Sequence, residues 1–207
     1  MYAVSRVGTA RTEKYMEAAT FVAETGEMLR GEYGFEVRTS TEEIGPMGRF
    51  AFTSRWSSLE DLVENRHRLM QESAYLDRMR QGGELFLPGM TDHVFMTLDG
   101  SAMPDPSAFT SARFGVARNG RLREAGEFAA HIAADVSANI GVHIVPVMRR
   151  GGRAGTFAFM TGHDSIADWE ASFVRFAADE TSAKAIDEAG ELWLDGSIRD
   201  QLWRSLD

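Results

Sequence analysis

The chain of 207 residues has 43% hydrophobic and 26% charged side chains, an ordinary globular balance, and a formal net charge of −9. The acidic charge argues against nucleic acid as a partner, and no basic amphipathic helix indicates binding to a membrane. Without cysteines, the chain forms no disulfides and holds no metal through thiolates. It lacks a signal-peptide pattern and any run of about 18 apolar residues, so we expect a cytoplasmic protein.

The first half has the pattern strand, helix, strand, strand, helix, strand. AVSRVGT is strand-like, and the next segment, KYMEAATFVAETGEML, carries apolar residues at helical spacing. FEVRTST and RFAFTSRW are strand-like runs separated by a Gly/Pro turn. Ser58 is placed to cap a second helix that runs on past Tyr75, and DHVFMTL alternates as a last strand.

The second half repeats this order. ARFGVA precedes a helix around EFAAHIAADV, and strands VHIVPVM and TFAFMT flank the glycine-rich segment RRGGRAG. Because RRGGRAG joins two strands and has no helix behind it, we interpret it as a hairpin turn and not as a phosphate-binding loop. Asp164 or Ser165 caps the next helix, and SIRDQLW is the final segment.

A shift of 107 positions, which is Arg113 minus Arg6, superimposes one half on the other. RVGTAR falls on RFGVAR, GRFAF on GTFAF, and GELFLPG on GELWLDG. About 20 of roughly 95 aligned pairs are identical without a gap, where chance would give about six. The chain is therefore interpreted as an internal duplication. Phe52 falls on Phe159, and both are predicted to be buried on the third strand of their half.

Each half has the β-α-β-β-α-β order of a ferredoxin-like unit, whose antiparallel sheet has helices on one face only. The other face must also be covered, and a second identical sheet can cover it. The sequence therefore predicts the α+β class, with two tandem ferredoxin-like repeats forming an intramolecular dimeric α+β barrel. The repeats span residues 1–98 and 109–207, and residues 99–108, rich in Pro, Gly and Ser, form a linker. We expect a monomeric pseudo-dimer or a homodimer.

These residues resemble the dimeric α+β barrel superfamily and, within it, the NIPSNAP family. That family opens with a strand carrying an arginine, then a basic turn and a helix, as do Arg6 with RTEK and Arg113 with RNGR. WSSLEDLVENRHRL followed by SAYLDRM is similar to the family's third strand and second helix. Gly8 and Gly115 depart from the pattern, because family members often carry an aromatic residue there. The resemblance implies the barrel fold and no single reaction, since the superfamily includes cofactor-free monooxygenases, isomerases and haem-binding or haem-degrading proteins.

Arg6 and Arg113 occupy equivalent positions on the first strand of each half. An arginine packed under helices is costly, so we expect both side chains to face the barrel interior. As a pair related by the pseudo-twofold axis, they are candidate catalytic residues that clamp a carboxylate or an enolate oxygen. The alternative is a pair of structural ion bridges, for example with Glu36.

His143 falls on Glu36, so the halves differ at this position of the second strand. A neutral histidine is a candidate general base, and the alternative is a histidine that faces solvent or fills a gap. We predict a cavity nearer His143 than Glu36, with Glu36 and His93 binding the substrate. His93 shares a strand face with Phe95. The remaining histidines are expected to be surface or packing residues: His67, His131 and His163.

The predicted ligand is a small, flat, largely apolar molecule inside the barrel, and the predicted activity is that of a cofactor-independent monooxygenase or isomerase of secondary metabolism. The eleven methionines and thirteen phenylalanines suit such a ligand, and equally suit the filling of a core. One alternative is a haem-binding or small-molecule-binding protein without turnover, with a histidine as axial ligand. Another is a NIPSNAP-like protein that acts through its outer surface. No short spacing of histidines and carboxylates predicts a metal site.

Overall fold

The computed structural model describes residues 1–100, 102–105 and 107–207. The first half contains β1 (Tyr2–Thr9), α1 (Tyr15–Gly31), β2 (Val37–Ile44), β3 (Arg49–Trp56), α2 (Leu59–Leu69), α3 (Ser73–Leu85) and β4 (Thr91–Thr97). The second half contains β5 (Phe109–Val116), α4 (Leu122–Ile140), β6 (Ile144–Arg150), β7 (Thr156–His163), α5 (Ile166–Ala178), α6 (Glu180–Glu188) and β8 (Arg199–Ser205).

The predicted second helix of each half is two consecutive helices, α2 and α3 in the first half and α5 and α6 in the second. Their starting points agree with the sequence pattern. The Ser58 side chain accepts a hydrogen bond from the backbone N–H of Asp61 at 3.0 Å, and Ser165 accepts one from Asp168 at 3.1 Å. Each serine thereby satisfies one of the free N–H groups at the start of its helix.

The protein belongs to the α+β class, and its eight strands form a closed antiparallel barrel in the order β1-β3-β2-β8-β5-β7-β6-β4. The strand register is the same in both halves. Arg6 on β1 lies opposite Phe52 on β3, and Arg113 on β5 lies opposite Phe159 on β7. These pairs differ by the 107 positions that relate the two halves of the sequence. The predicted α+β barrel is therefore confirmed.

The chain divides into two compact units, and two of its strands contribute to both. Unit 1 comprises Met1–Val94 with Arg204–Asp207, and unit 2 comprises Phe95–Trp203. The division therefore passes through β4 and β8. The predicted boundaries of the two repeats stay a prediction, and Ser101 and Pro106 of the predicted linker lie outside the described residues.

A glycine on the first strand of each unit makes room for an aromatic side chain of the core. A Cβ atom on Gly8 would lie 3.1 Å from the ring of Phe86, and one on Gly115 would lie 3.1 Å from the ring of Trp193. Such distances are too short for an ordinary contact, so a larger residue would push the ring out of place. The same close packing explains why RVGTAR and RFGVAR share their glycine.

The phenylalanines of β3 and β7 differ from the prediction in their burial. Phe50 and Phe157 are each 1% exposed and form the centre of the core in units 1 and 2. Phe52 and Phe159, which we expected to be buried, are only half-buried and pack against the edge of the core. Side chains alternate along a strand, so Phe52 and Phe159 lie on the same strand faces as Phe50 and Phe157. They pack against the outside of the core clusters to which Phe50 and Phe157 belong. Within the described residues, no helix is both long enough and apolar enough to cross a membrane.

We expect Phe50→Ala to lower the free energy of unfolding by about 3–5 kcal/mol, because the change leaves a cavity in a fully buried position. Phe52→Ala should cost less, since that side chain is half-buried. Phe173→Ala is the matched control, because Phe173 is 51% exposed and should change stability by about 0.5 kcal/mol or less. Urea unfolding of the three variants measures the difference. Equal losses at Phe50 and Phe173 would show that the core is placed wrongly.

Candidate functional site

A cavity of about 410 Å³ lies within unit 1, between the strands and the helices. This volume is in the range of sites for small molecules, about 300–1,000 Å³. Most of the side chains that line it are apolar or aromatic: Val4, Phe21, Leu29, Phe35, Val37, Phe52, Trp56, Leu62, Leu69, Tyr75, Met79, Phe86, Leu87 and Met90. The cavity therefore suits a ligand with a large apolar surface.

Strand alternation explains which residues reach the cavity. Val4 and Arg6 on β1, with Phe52, Ser54 and Trp56 on β3, occupy every second position of their strands and line it. Side chains two residues apart on a strand share a face, and here that face is the one under the helices. Residues of α1, α2 and α3 line the opposite side, so the cavity is a space between two layers.

Charged side chains form one part of the cavity wall. Arg6 donates from Nε to Asp92 Oδ1 at 2.7 Å and from Nη2 to Asp92 Oδ2 at 2.9 Å. Arg66 of α2 approaches the same carboxylate, with Nη1 at 3.1 Å from Oδ2. The side chains of Arg6 and Asp92 are only 27% and 26% exposed, so their two parallel hydrogen bonds form with little competing water. This group carries two positive charges and one negative charge.

The proton affinities of these groups reflect their contacts. The hydrogen bond from Arg6 lowers the pKa of Asp92, and the nearby charge of Arg66 lowers it further. The hydrogen bond to Asp92 raises the pKa of Arg6, against the effect of burial, and Tyr75 adds to the rise. Both members of the pair are therefore charged near neutral pH. Asp92 uses Nε and Nη2 of Arg6, which leaves the Nη1 donors outside that pair.

Two other polar groups at the cavity are held by neighbouring side chains. Trp56 donates from Nε1 to Ser54 Oγ at 2.8 Å, which fixes the indole ring against β3. Arg78 donates from Nε to Thr25 Oγ1 at 2.8 Å, and its Cζ lies 4.3 Å from the centre of the Phe21 ring. These contacts orient the aromatic wall of the cavity.

Arg6 lines the cavity under the helices, so the expectation that it faces the barrel interior is wrong. The cost that we assigned to an arginine in that layer applies to an isolated charge, whereas Asp92 pairs with it. Arg113 is paired in the same way in unit 2, with Asp200 at 2.7 and 2.9 Å. Its Cζ lies 5.5 Å from the ring centre of Phe176. The alternative was that the two arginines form structural ion bridges. They do form ion bridges, but their partners are the aspartates of β4 and β8 and not Glu36.

The other predicted site residues lie outside this cavity. Glu36 is exposed and precedes β2, although its neighbours Phe35 and Val37 line the cavity. His143 is exposed, precedes β6 and belongs to unit 2. The cavity of unit 1 is therefore not the cavity near His143 that the sequence predicted. His93 is half-buried on β4 beside Asp92. The roles of these three residues stay predictions.

Four residues of the site escaped the sequence analysis: Trp56, Arg66, Tyr75 and Asp92. Asp92 had a detectable signal, because an aspartate occurs in the last strand of both halves, as Asp92 and Asp200. The two positions are 108 apart, one more than the shift that relates the halves, so an alignment without gaps does not pair them.

His163 is a packing residue, as expected, since it is 3% exposed. Its Nε2 lies 2.9 Å from Ser111 Oγ, and its Nδ1 lies 3.7 Å from Asp168 Oδ2. Burial lowers the pKa of His163, while Asp168 raises it to a lesser extent. The imidazole is therefore neutral near pH 7.

The described residues hold no cluster of metal ligands, and the cavity of unit 1 has no histidine to serve as the predicted haem ligand. Those residues contain no group of three or more histidines and carboxylates that could hold a metal ion. No histidine lines the cavity of unit 1, whereas the haem hypothesis required a histidine as axial ligand. The residues at the cavity therefore do not fit that form of haem binding.

Comparison with solved structures identifies the class of fold. A candidate monooxygenase from Fusobacterium nucleatum has a TM-score of 0.71 at 7% identity, covering 100% of this chain and 92% of its own. A candidate monooxygenase from Lactobacillus acidophilus has a TM-score of 0.65 at 9% identity, with 100% and 93% covered. An anthrone oxidase-like protein has a TM-score of 0.62 at 17% identity, with 99% and 90% covered. No protein-family model and no curated protein matches the sequence.

The chain thus has the fold of the dimeric α+β barrel proteins, which confirms the resemblance stated from the sequence. A NIPSNAP family protein from Agrobacterium tumefaciens is also among the similar structures, with a TM-score of 0.43 at 19% identity over 48% of this chain and 95% of its own. A haem-degrading enzyme from Listeria monocytogenes has a TM-score of 0.52 at 9% identity, with 99% of each chain covered. At these identities the structures with TM-scores above 0.5 establish the fold and not the reaction.

We expect Arg6→Gln to raise the pKa of Asp92 toward its ordinary value of about 3.9, because the main stabilising hydrogen bonds are lost. In the native protein the lowered pKa means that Asp92 stabilises the fold above about pH 4, and that this contribution is lost as the pH falls through the folded pKa. Carboxyl ¹³C NMR titration measures the pKa directly. Arg113→Gln is the matched control and should leave Asp92 unchanged. The same Asp92 titration in both variants would contradict the assigned pairing.

We also expect His163 to make the fold less stable below about pH 6.5. Because burial lowers its folded pKa, the unfolded chain binds the proton first, and the free energy of unfolding decreases as the pH falls from about 6.5 through the folded pKa. His163→Phe should reduce this decrease between pH 7.5 and 5.5 in urea unfolding. His131→Gln, at an exposed helix position, should retain it. An unchanged pH dependence in His163→Phe would refute the explanation.

Proposed function

We propose that the cavity of unit 1 binds one flat, largely apolar molecule that carries a single anionic oxygen, and that the protein acts on it as a cofactor-independent monooxygenase. The observation that carries the proposal is an aromatic cavity with one charged patch in its wall. Six aromatic side chains supply ring faces on which a flat ligand can stack: Phe21, Phe35, Phe52, Trp56, Tyr75 and Phe86.

The charges of Arg6, Arg66 and Asp92 support an anion. Arg6 and Arg66 together carry one positive charge more than Asp92 balances. A phenolate, enolate or carboxylate oxygen would offset that excess and accept hydrogen bonds from guanidinium N–H groups. Arg66 is 57% exposed, so its side chain can move toward a ligand without unpacking the core.

An anthrone is a ligand of this kind, and one of the similar structures is an anthrone oxidase-like protein. Loss of a proton from the central CH₂ group gives a flat enolate, which Arg6 would stabilise through the oxygen. Molecular oxygen then adds at the carbon that lost the proton, and loss of water from the hydroperoxide leaves a second carbonyl. The balance is anthrone plus O₂ giving anthraquinone plus H₂O, so oxygen is the only oxidant needed.

The residues favour electrostatic stabilisation over a strong base. Asp92 has a lowered pKa and is therefore a weak base, and the histidine predicted to move the proton, His143, lies in the other unit. Stabilising the enolate oxygen lowers the pKa of the ligand itself, which reduces the basicity that proton removal needs. The catalytic roles predicted for His143 and Arg113 are separate from this proposal.

The organisation of the chain supports a finer proposal about its origin. We infer that residues 1–98 and 109–207 are duplicated ferredoxin-like repeats joined by residues 99–108. The shared register of β1 with β3 and β5 with β7 supports this, as does the matching order of strands and helices. The oligomeric state, a monomeric pseudo-dimer or a homodimer, stays a prediction. The cytoplasmic location also stays a prediction.

The binding test uses 1,8-dihydroxyanthrone, followed by quenching of tryptophan fluorescence. Arg6→Gln should weaken binding roughly 10- to 100-fold, because a charged hydrogen bond is lost. Arg66→Gln should weaken it less, and its exposed position makes misfolding a poor explanation for the loss. Arg113→Gln is the matched control, since it removes the equivalent arginine of unit 2, and should bind as the native protein does.

The turnover test measures oxygen uptake with an electrode and the formation of dihydroxyanthraquinone by absorbance, in protein without added cofactor. One O₂ should disappear for each quinone formed. Binding without oxygen uptake would support the alternative of a binding protein without turnover. Equal weakening in Arg6→Gln and Arg113→Gln, or no binding at all, would refute the assignment of the cavity.

A further inference from the structure

Unit 2 places a serine and a histidine in direct contact on two neighbouring strands. Ser111 lies on β5, and His163 is the last residue of β7, which pairs with β5. The shift of 107 positions places Ser111 on Val4, and it places His163 on Trp56. Both of these unit 1 residues line the cavity under the helices. The serine and the histidine therefore occupy the equivalent face of the unit 2 sheet.

The histidine lies between the serine and an aspartate. Ser111 Oγ is 2.9 Å from His163 Nε2, and His163 Nδ1 is 3.7 Å from Oδ2 of Asp168, in the first turn of α5. Nδ1 is buried and has no hydrogen-bond partner in the described part of the chain. A proton on Nδ1 faces the carboxylate, so Asp168 favours the tautomer in which Nε2 accepts the hydrogen bond from the serine hydroxyl.

The charges of these groups suit proton transfer from the serine. Burial lowers the pKa of His163, so Nε2 has a free lone pair at neutral pH. The side chain of Asp168 is 46% exposed and can approach Nδ1 without disturbing the core. Hydrogen bonds to a catalytic base are often long until a substrate binds. The three residues thus have the order of a nucleophile, a base and a group that orients the base.

The burial of the three residues limits the size of a substrate. His163 is 3% exposed, whereas Ser111 is half-buried. Asp164 and Ser165, which connect the histidine to α5, are exposed, so the contact lies close to the protein surface. A small ester can reach the hydroxyl of Ser111 from this side, and a bulky acyl group would collide with the helix above it.

We propose that His163 activates Ser111, and that Ser111 takes the acyl group of an ester of a short carboxylic acid. Ser111 Oγ attacks the carbonyl carbon while His163 Nε2 takes the hydroxyl proton. The bond from that carbon to the alcohol oxygen then breaks, and Nε2 passes the proton to the leaving oxygen. Water cleaves the acyl-serine by the same steps and releases the acid. The site belongs to unit 2 and does not depend on the function proposed for the cavity of unit 1.

The test uses 4-nitrophenyl acetate, with nitrophenolate release followed by absorbance and the acetylated residue found by peptide mass spectrometry. The native protein should release a burst of one nitrophenolate per chain and carry the acetyl group on Ser111. Ser111→Ala should abolish the burst, and His163→Gln should slow it roughly 100-fold or more. Ser5→Ala is the matched control and should react as the native protein does. Ser5 is also a half-buried serine on a first strand, but its Oγ contacts Thr53 Oγ1 at 3.1 Å and no histidine.

Three outcomes would overturn the proposal: no burst in the native protein, an equal burst in Ser111→Ala, or an acetyl group on another residue, His163 included. The first would mean that the serine only holds the histidine in place. If His163→Gln does not fold, as judged by far-UV circular dichroism, Asp168→Asn takes its place, because that side chain is half-exposed. It should slow acetylation at least several-fold by weakening the tautomer that accepts the serine proton. An unchanged rate in Asp168→Asn would count against the proposal.

Discussion

The ion pair between Arg6 and Asp92 determines the chemical character of the space under the helices of unit 1. A guanidinium in that layer loses most of its water, which costs several kcal/mol unless a carboxylate replaces the lost hydrogen bonds. Asp92 replaces them with two short bonds, so charge persists in a layer that would otherwise be filled by apolar side chains. The remaining space is lined mostly by apolar and aromatic side chains, and Tyr75 reaches the arginine of the pair.

In unit 2 an aspartate also neutralises the arginine, but different side chains surround the pair. Arg113 and Asp200 have the same two bond lengths as the pair in unit 1, but the ring of Phe176 lies against the arginine. At the positions that correspond to Arg66 and Tyr75, the second half has neither an arginine nor a tyrosine: it has Phe173 and Ser182. The two units thus share the arginine–aspartate pair, while the residues around it differ.

The order of strands and helices could be predicted because periodicity and turn residues are local signals, and because each half supports the assignment of the other. The direction of Arg6 could not, since it depends on an aspartate 86 residues away. His143 shows a second limit: β6 begins one residue later, at Ile144, so an argument from strand alternation does not apply to it. The cavity itself depends on how completely side chains of several elements fill one layer, and no local pattern encodes that.

The passage of β8 through both units has a consequence for how the protein is made. Leu206 N donates to Thr39 O at 2.9 Å, and the Asp207 carboxylate accepts from Thr39 Oγ1 at 2.8 Å and from Arg30 at 2.7 Å. Unit 1 is therefore complete only after the ribosome has added the 109 residues Phe95–Trp203 and then Arg204–Asp207, about 5–20 s of translation. During that interval β2 has an unpaired edge, and an unpaired strand edge promotes pairing with other chains.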